Sequence, residues 1–267
     1  MSVDGNRALL KALALYLSSD FAYYHQFLSS TQFGVQRAVS TLECLRQIPF
    51  PLLKLAPDEL AKWEALHDRI ARTKPRQLTD PKEPGVELDD MPEDDGQDVM
   101  VEELNRRVSD ALGLDQGDRA LVEDLVYIRI ALNDGKIGPD AMKPVSRKEL
   151  QTYAEWLQRE FDGQMDGEHH SVTVLHDDQS GFIAIEPTSD HVSTRVVSAD
   201  AESARTLART RGQLREEHAQ WVYFDRSLRL HRGKKTYLFK PIQRMHWTRT
   251  RALLDAADIA IGQMSED

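Results

Sequence analysis

Cysteine is almost absent from this chain of 267 residues, which contains only Cys44. A single cysteine excludes an intrachain disulfide and is a poor start for a zinc site, which usually combines several thiolate and imidazole ligands. Cys44 stands among Leu42, Leu45 and Ile48, a setting typical of core packing rather than of a reactive thiol. We therefore expect a protein of the reducing cytoplasm.

Long apolar runs are absent as well. No stretch approaches the roughly 20 apolar residues that a membrane helix needs. The best candidate for a signal peptide, residues 8–17, is interrupted by Lys11 and is not followed by a small-residue cleavage site. The composition therefore predicts neither a membrane span nor secretion.

Charge is distributed unevenly along the chain, whose net charge is −10. The acidic segment, residues 75–100, contains nine acidic and two basic residues. The basic block, residues 205–251, contains thirteen Lys and Arg residues, three acidic residues and several aromatic residues. The overall charge disfavours simple wrapping by nucleic acid, whereas the basic block is typical of a surface that contacts phosphates.

The spacing of the apolar residues changes along the chain from helical to alternating, and this change predicts an α+β fold. Up to residue 161 the spacing is helical, and a capping-box pattern starts one helix at Ser146. Residues 171–175, 181–186, 192–197 and 221–224 read as strands, and residues 228–231 and 235–239 as a hairpin. Asp200 and Thr248 are expected to cap two further helices.

The domain organisation follows from the same patterns. We predict a helical part at residues 1–73, an acidic flexible linker at residues 74–100 and an α+β domain at residues 101–267. The domain combines helices, a small antiparallel sheet and a C-terminal helix. The linker is assigned because its composition cannot bury enough apolar surface to offset the entropy of ordering.

Two sets of residues resemble a known family. Residues 13–20, Leu-Ala-Leu-Tyr-Leu-Ser-Ser-Asp, precede residues 42–51, Leu-Glu-Cys-Leu-Arg-Gln-Ile-Pro-Phe-Pro. This pair is similar to the target-recognition regions of bacterial N-6 adenine DNA methylases, where a helix ending in Leu-Asn-Ser precedes a segment finishing in Ile-Pro-Ile-Pro. Ser18 stands where the family usually has Asn, and Phe50 where it has the second Ile.

The second set is the more specific. It comprises Tyr-Phe-Asp-Arg-Ser-Leu-Arg-Leu at 223–230, Tyr-Leu-Phe-Lys-Pro-Ile-Gln-Arg at 237–244 and Trp-Thr-Arg-Thr-Arg-Ala-Leu-Leu-Asp-Ala at 247–256. These residues resemble the extreme C-terminal end of long methylases from restriction–modification and phage-defence systems. Together the two sets bracket nearly the whole chain, although the acidic segment has no counterpart in the family.

The catalytic parts of that family are missing. Its methylases carry an (Asn/Asp/Ser)-Pro-Pro-(Tyr/Phe) motif that holds the adenine amino group, and this chain has no Pro-Pro pair. It also has no Gly-x-Gly turn after a strand, the form that a methyl-donor or dinucleotide site of that kind takes. The resemblance therefore implies a non-catalytic specificity or assembly module, with no cofactor or metal of its own. Its partners would be a methylase catalytic subunit or domain and double-stranded DNA.

The basic block supplies the candidate DNA-binding residues. A two-stranded ribbon tipped by cations can enter a groove, its basic side chains contacting phosphates while Gln243 or an arginine reads a base edge. Alternation places Tyr237 and Phe239 on one face, which favours a core position over base stacking. The alternative is a solvated hairpin whose arginines pair with acidic residues of the chain itself. The candidates are Arg226, Arg229, Arg232, Lys234, Lys235, Lys240, Gln243, Arg244, Trp247, Arg249 and Arg251.

Two other functions stay open at this point. One is a protein-interaction subunit that never touches DNA. The other is a metal-dependent nuclease built on Asp124, Asp134 and Lys136, although their spacing fits a helix closed by a glycine better than paired strands. His169 and His170 are expected in a surface loop rather than at a metal, because neighbours entering a strand point to opposite faces.

Overall fold

The computed structural model describes residues 3–29, 42–72, 95–130, 140–165, 168–217, 228–232 and 234–264. The chain forms two compact units, Met1–Val126 and Tyr127–Asp267. Within the described residues there are nine α-helices and one five-stranded sheet, which confirms the predicted α+β class. None of the described helices is long and apolar enough to cross a membrane.

The first unit is helical. Its elements are α1 (Val3–Leu17), α2 (Asp20–Ser29), α3 (Leu42–Gln47), a 3-10 turn (Pro51–Lys54), α4 (Pro57–Arg72), α5 (Asp95–Leu112) and α6 (Gln116–Asp124). A π-helix (Leu125–Ile130) continues from α6 across the boundary between the two units. Pro57 occupies the first turn of α4, where its missing N–H costs nothing, and Asp58 and Glu59 complement the helix dipole there. Gly113 ends α5 with a φ of 71°, a conformation that glycine adopts without strain.

The core of this unit joins three helices through apolar stripes at helical spacing. Its buried side chains are Ala12, Leu15, Tyr16, Ile48, Leu52, Trp63, Leu66, Leu104 and Val108. Lys11 of α1 adds an ion pair with Glu64 of α4 at 2.7 Å and a second with Asp68. The hydroxyl of Tyr16 donates a hydrogen bond to the carbonyl oxygen of Pro49, which fixes the chain after α3 against α1.

The two units divide the chain at a different point from the predicted boundary near residue 100. Helices α5 and α6 belong to the first unit, and Leu104 and Val108 of α5 complete the core around Trp63 and Leu66. Residues 95–100, predicted as the end of the linker, are the first turns of α5. Residues 74–94 lie outside the described residues, so the flexible linker stays a prediction there.

The second unit contains the sheet. Its elements are a 3-10 turn (Asp140–Met142), α7 (Arg147–Gln164), β1 (His169–His176), β2 (Ser180–Thr188), β3 (Arg195–Ser198), α8 (Ala201–Glu217), β4 (Leu228–Arg232), β5 (Lys235–Pro241), a 3-10 turn (Arg244–His246) and α9 (Arg249–Met264). The expected caps are present. Ser146 and Glu149 form the capping box of α7, Asp200 accepts from the Ser203 N–H at 2.8 Å, and Thr248 accepts from the Arg251 N–H at 3.1 Å.

The strand order is β3-β1-β2-β5-β4. All neighbours are antiparallel except β3, which runs parallel to β1, so the sheet is mixed rather than wholly antiparallel. The chain reverses direction after β1 and again after β2, so β3 runs in the same direction as β1. Strand β3 lies beside β1 at the edge of the sheet. The strand predicted at residues 221–224 lies outside the described residues.

One face of the sheet packs against α7 and α9. Its alternate residues, such as Val174, Ile183 and Leu238, are buried, and α7 contributes Tyr153 and Leu157 to the same layer. Burying one such aliphatic side chain stabilises the fold by about 1.5–3 kcal/mol. This buried layer holds the β4–β5 hairpin in place, and several of the candidate DNA-binding residues lie on that hairpin.

Candidate nucleic-acid interface

The β4–β5 hairpin forms one edge of the sheet. Strand β4 is the last strand, and it pairs with β5 from Leu228↔Phe239 to Arg232↔Lys235. Because β5 also pairs with β2 from Thr236 to Pro241, the sheet holds the hairpin over nearly its whole length. The predicted hairpin is therefore present, but as part of a five-stranded sheet and not as a free two-stranded ribbon.

Two of the candidate lysines lie at the turn of the hairpin. Lys234 is exposed. Lys235 is also exposed and pairs with Glu186 on β2 at 2.9 Å; its hydrogen bond with Glu186 raises the pKa of Lys235. Both partners of this pair are about half exposed, and a solvated ion pair of this kind contributes little to stability. Lys235 can exchange such a carboxylate for a phosphate at little cost.

Arg229 lies on β4 and pairs with Asp258 of α9 at 3.0 Å. Its register partner is Leu238, so it lies on the pleat side that meets α9, opposite to the side of Lys235. Arg226 lies outside the described residues. The backbone of Arg232 is the register partner of Lys235, but its side chain is not among those described.

Lys240 was predicted to contact DNA, and this prediction is wrong because its side chain is completely buried. Its ammonium group forms an ion pair with Asp255 of α9 and donates to the Tyr153 hydroxyl at 2.9 Å and to the His246 carbonyl oxygen at 3.1 Å. These three bonds use all three donors of the lysine. Tyr153 in turn donates to Asp255 at 2.6 Å. A lysine enclosed in this way cannot reach a phosphate.

Trp247 is the second correction, since it is 2 % exposed and cannot stack on a base. Its indole N–H donates to the carbonyl oxygen of Pro241 at 2.8 Å, and its ring meets Tyr153 edge-on at 5.1 Å. A Cβ atom at Gly181 would lie 2.4 Å from the Trp247 ring. Glycine at this position therefore lets the tryptophan close the core under the hairpin.

Two further candidate arginines form ion pairs within the fold. Arg244 pairs with Glu149 at the start of α7, and Arg251 pairs with Asp255 at 3.1 Å. Burial of Glu149 opposes its ionised form, but hydrogen bonds from Ser146 and Arg244 outweigh this effect and lower the pKa of Glu149. These arginines attach the segment after β5 to the helices.

The last two candidates and the aromatic residues are partly enclosed. Gln243 is half-buried and forms an isolated β-bridge with Pro144, while Arg249 is half-buried in the first turn of α9. Tyr237 and Phe239 share one face of β5, as expected. The expected core position is wrong, because that face is only half-buried and lies opposite the α7 and α9 layer. Tyr237 stacks there on Phe182 at 5.4 Å.

The buried lysine–aspartate pair was missed by sequence reasoning, although two signals for it were present. Lys240 lies on the same face of β5 as Thr236 and Leu238, whose side chains are buried. Asp255 stands on the helix face that carries Ala252 and Ile259. A lysine and an aspartate that both occupy core-facing positions of neighbouring elements are expected to pair, because neither is stable alone in an apolar layer.

The histidine pair is not in a surface loop as expected, because His169 and His170 begin β1. They point to opposite faces: His170 is 2 % exposed and lies 2.9 Å from Asp162, while His169 is half-exposed. The described residues contain no group of three or more His, Cys, Asp or Glu side chains that could hold a metal ion. Asp124 is buried in α6, and the other two nuclease candidates, Asp134 and Lys136, lie outside the described residues.

A shallow open cleft of about 570 Å³ lies between α7 and β3, lined by Arg147, Gln151 and residues 194–198. Two of its polar side chains already form hydrogen bonds within the chain. Arg147 donates to the Val196 carbonyl oxygen at 3.2 Å, and Gln151 donates to Thr194 at 2.6 Å. Ser198 at its end is 3.3 Å from His176, an exposed contact. No described carboxylate is found to orient this histidine, so a catalytic triad is not formed within the described residues.

Comparisons of the chain with protein-family models, with curated proteins and with solved structures found no match.

Proposed function

We propose that this chain is a non-catalytic specificity or assembly module of an adenine-specific DNA methyltransferase system, of the restriction–modification or phage-defence type. It acts in the cytoplasm beside a methylase catalytic subunit and contacts duplex DNA through the turn of the β4–β5 hairpin. The observation that supports DNA contact is the exposed pair Lys234 and Lys235 at this turn. The resemblance of residues 223–230, 237–244 and 247–256 to methylase C-terminal ends supports the system.

The edge of the sheet presents the turn of the hairpin on a rigid base. Phosphate contacts from Lys234 and Lys235 at this turn position the chain on the duplex. The base of the hairpin is immobilised by β2 and by the buried Lys240–Asp255 pair, so little conformational entropy is lost when the turn binds. The acidic character of the rest of the chain limits binding elsewhere on its surface.

The test is the salt dependence of DNA binding by the full chain, alone and together with a methylase subunit encoded beside it. Each phosphate contact contributes about 0.9 to the slope of log affinity against log salt, so Lys234→Ala/Lys235→Ala should lower the slope by roughly one to two units. The matched control is Lys62→Ala/Lys143→Ala, which removes the same charge from two exposed lysines elsewhere. Equal slopes for the two double variants would exclude the hairpin as the DNA-contacting element.

A second candidate function is a protein-interaction subunit that does not contact DNA. It is favoured by the pairing of Arg229, Arg244 and Arg251 with acidic residues of the chain itself, which leaves fewer cations for phosphates than the composition suggests. In this case the methylase subunit should still bind the chain, and the complex should have the same affinity for DNA as the methylase alone. Methyl transfer by the purified chain alone, measured with labelled S-adenosylmethionine, would contradict both candidates.

A further inference from the structure

Helix α1 is apolar on two opposite sides. One side packs into the core of the first unit through Ala12, Leu15 and Tyr16. On the opposite side Leu10 is 65 % exposed and Leu17 is 40 % exposed. An amphipathic surface helix normally carries charged and polar residues there. An exposed apolar strip on the side away from the core is typical of a surface that a partner covers.

The exposed leucines form a continuous seam along the helix. Leu10 and Leu17 are seven residues apart and lie on the same face, and the exposed Ala14 and half-buried Leu13 lie between them. Apolar residues at i, i+3, i+4 and i+7 are the pattern that packs against another helix.

This seam is complementary to itself when the second copy is antiparallel. A two-fold axis between residues 13 and 14 places Leu10 of one copy against Leu17 of the other, and Leu13 against Ala14, so that a large side chain meets a small one at the centre. Arg7, exposed near the start of α1, then lies at the negative end of the other helix's dipole, near Asp20. A parallel pair would instead bring the two Arg7 side chains together.

We propose that a second copy of this chain packs antiparallel against α1, giving a homodimer with two-fold symmetry. Closed two-fold dimers are the commonest assemblies of identical chains, and their interface consists of the same surface on both subunits. The seam alone offers less than half of the roughly 800 Å² that each partner buries in a standard stable interface. The dimer is therefore weak and forms in the micromolar range. The inference does not rest on DNA binding.

Sedimentation equilibrium of the full chain from about 1 to about 300 µM brackets the range expected for so small an interface. The wild-type chain should change from monomer to dimer across this range, and Leu10→Glu/Leu17→Glu should stay monomeric with an unchanged circular dichroism spectrum. The matched control is Leu254→Glu/Ile261→Glu on α9, whose side chains are exposed to a similar extent. The control should dimerise as the wild type does. A wild-type chain that stays monomeric at the highest concentration overturns the proposal, as does a dimer that survives the α1 substitutions.

Disulfide cross-linking tests the direction of the two helices and does not depend on a destabilising substitution. In the antiparallel pair Leu10 lies opposite Leu17 of the second copy, while the two Leu10 positions are offset by about 10 Å along the axis, too far for a disulfide. A mixture of Leu10→Cys and Leu17→Cys chains should therefore cross-link under mild oxidation, and Leu10→Cys alone should not. The native Cys44 is buried, so the unsubstituted chain controls for its reactivity. Cross-linking of Leu10→Cys with itself means parallel helices and overturns the proposal, as does the absence of a cross-link in the mixture.

Discussion

The two ends of strand β5 carry the same kind of ion pair in opposite environments. Lys235 and Glu186 meet at the turn of the hairpin, where both side chains are about half exposed, whereas Lys240 and Asp255 meet at its base, where both are about 1 % exposed. The outer pair is solvated, whereas the inner pair is enclosed and belongs to a network in which Asp255 also meets Tyr153 and Arg251. Five residues along one strand thus separate a lysine that meets solvent from one that is buried in the core.

Removing one member of the inner pair has the largest expected effect. Lys240→Ala leaves Asp255 and the Tyr153 hydroxyl without their buried cation, so the free energy of unfolding should fall by about 3–5 kcal/mol. Urea unfolding followed by circular dichroism measures this loss. Lys240→Met/Asp255→Leu removes both charges and keeps the volume, and it should be much closer to the wild type. A double variant as unstable as the single one would mean that the network is required for reasons other than charge.

The packing around the base of the hairpin is the next test. In Gly181→Ala the new methyl group overlaps the Trp247 ring unless the tryptophan moves, so we expect a loss of about 1–3 kcal/mol in the free energy of unfolding. Gly163→Ala is the control, because a Cβ atom there meets nothing within 4 Å. This helix position should gain slightly from alanine. Equal stability of the two variants would show that Trp247 does not depend on the glycine.

The two lysines should affect the pH dependence of stability differently, because their pKa values shift in opposite directions. Burial lowers the pKa of Lys240 to about 8, with Asp255 opposing part of the shift from 10.5. Between these values the unfolded chain keeps a proton that the folded chain has released, so the free energy of unfolding contributed by Lys240 should rise from pH 8 to 10. The pKa of Lys235 is raised by its hydrogen bond with Glu186, so its contribution is constant in this window and is lost only at higher pH.

Urea unfolding at pH 8, 9 and 10 measures this difference. The rise should disappear in Lys240→Met/Asp255→Leu and persist in Lys235→Ala. The window ends at pH 10 because burial and Asp255 raise the pKa of Tyr153 well above 10.0, and its contribution above pH 10 has the opposite sign. A rise that persists without Lys240 must come from another group.

Removing the outer lysine should have the smallest effect on the fold. Lys235→Ala breaks a solvated ion pair at the edge of the sheet, so the unfolding midpoint in urea should stay within experimental error of the wild type. Its consequence should instead be seen in the salt dependence of DNA binding. A clear loss of stability would show that the turn is part of the core structure and would weaken its assignment as a free ligand-contacting element.

Much of the local structure could be predicted, because it depends on residues close together in the sequence. The capping box of Ser146 and Glu149, the Thr248 cap and the stop at Gly113 each involve neighbours within a few positions, and the structure confirms all three. The alternation at residues 171–175 and 181–186 also predicted two strands, and the structure has β1 and β2 there. The hairpin was predicted from two alternating runs and a short basic turn.

The candidate site was predicted less well, because composition does not reveal how each cation is paired. Lys240 and Trp247 were counted with the surface residues, although their strand and turn place them in the layer under α7 and α9. Arg244 pairs with Glu149, which is 95 positions away in the sequence. A basic block in the sequence is therefore an upper limit on the basic surface of the folded chain.

The sequence by itself determined the helices, the strands and the hairpin, since these follow from periodicity and from side chains that bond to nearby backbone. Only the tertiary structure decided that α5 completes the core of the first unit and that β3 lies parallel to β1 at the sheet edge. It also decided which of two lysines on one strand meets solvent and which meets a buried aspartate. The physical reason is that burial and ion pairing depend on distances between elements far apart in the chain, whereas propensity and capping act within a few residues.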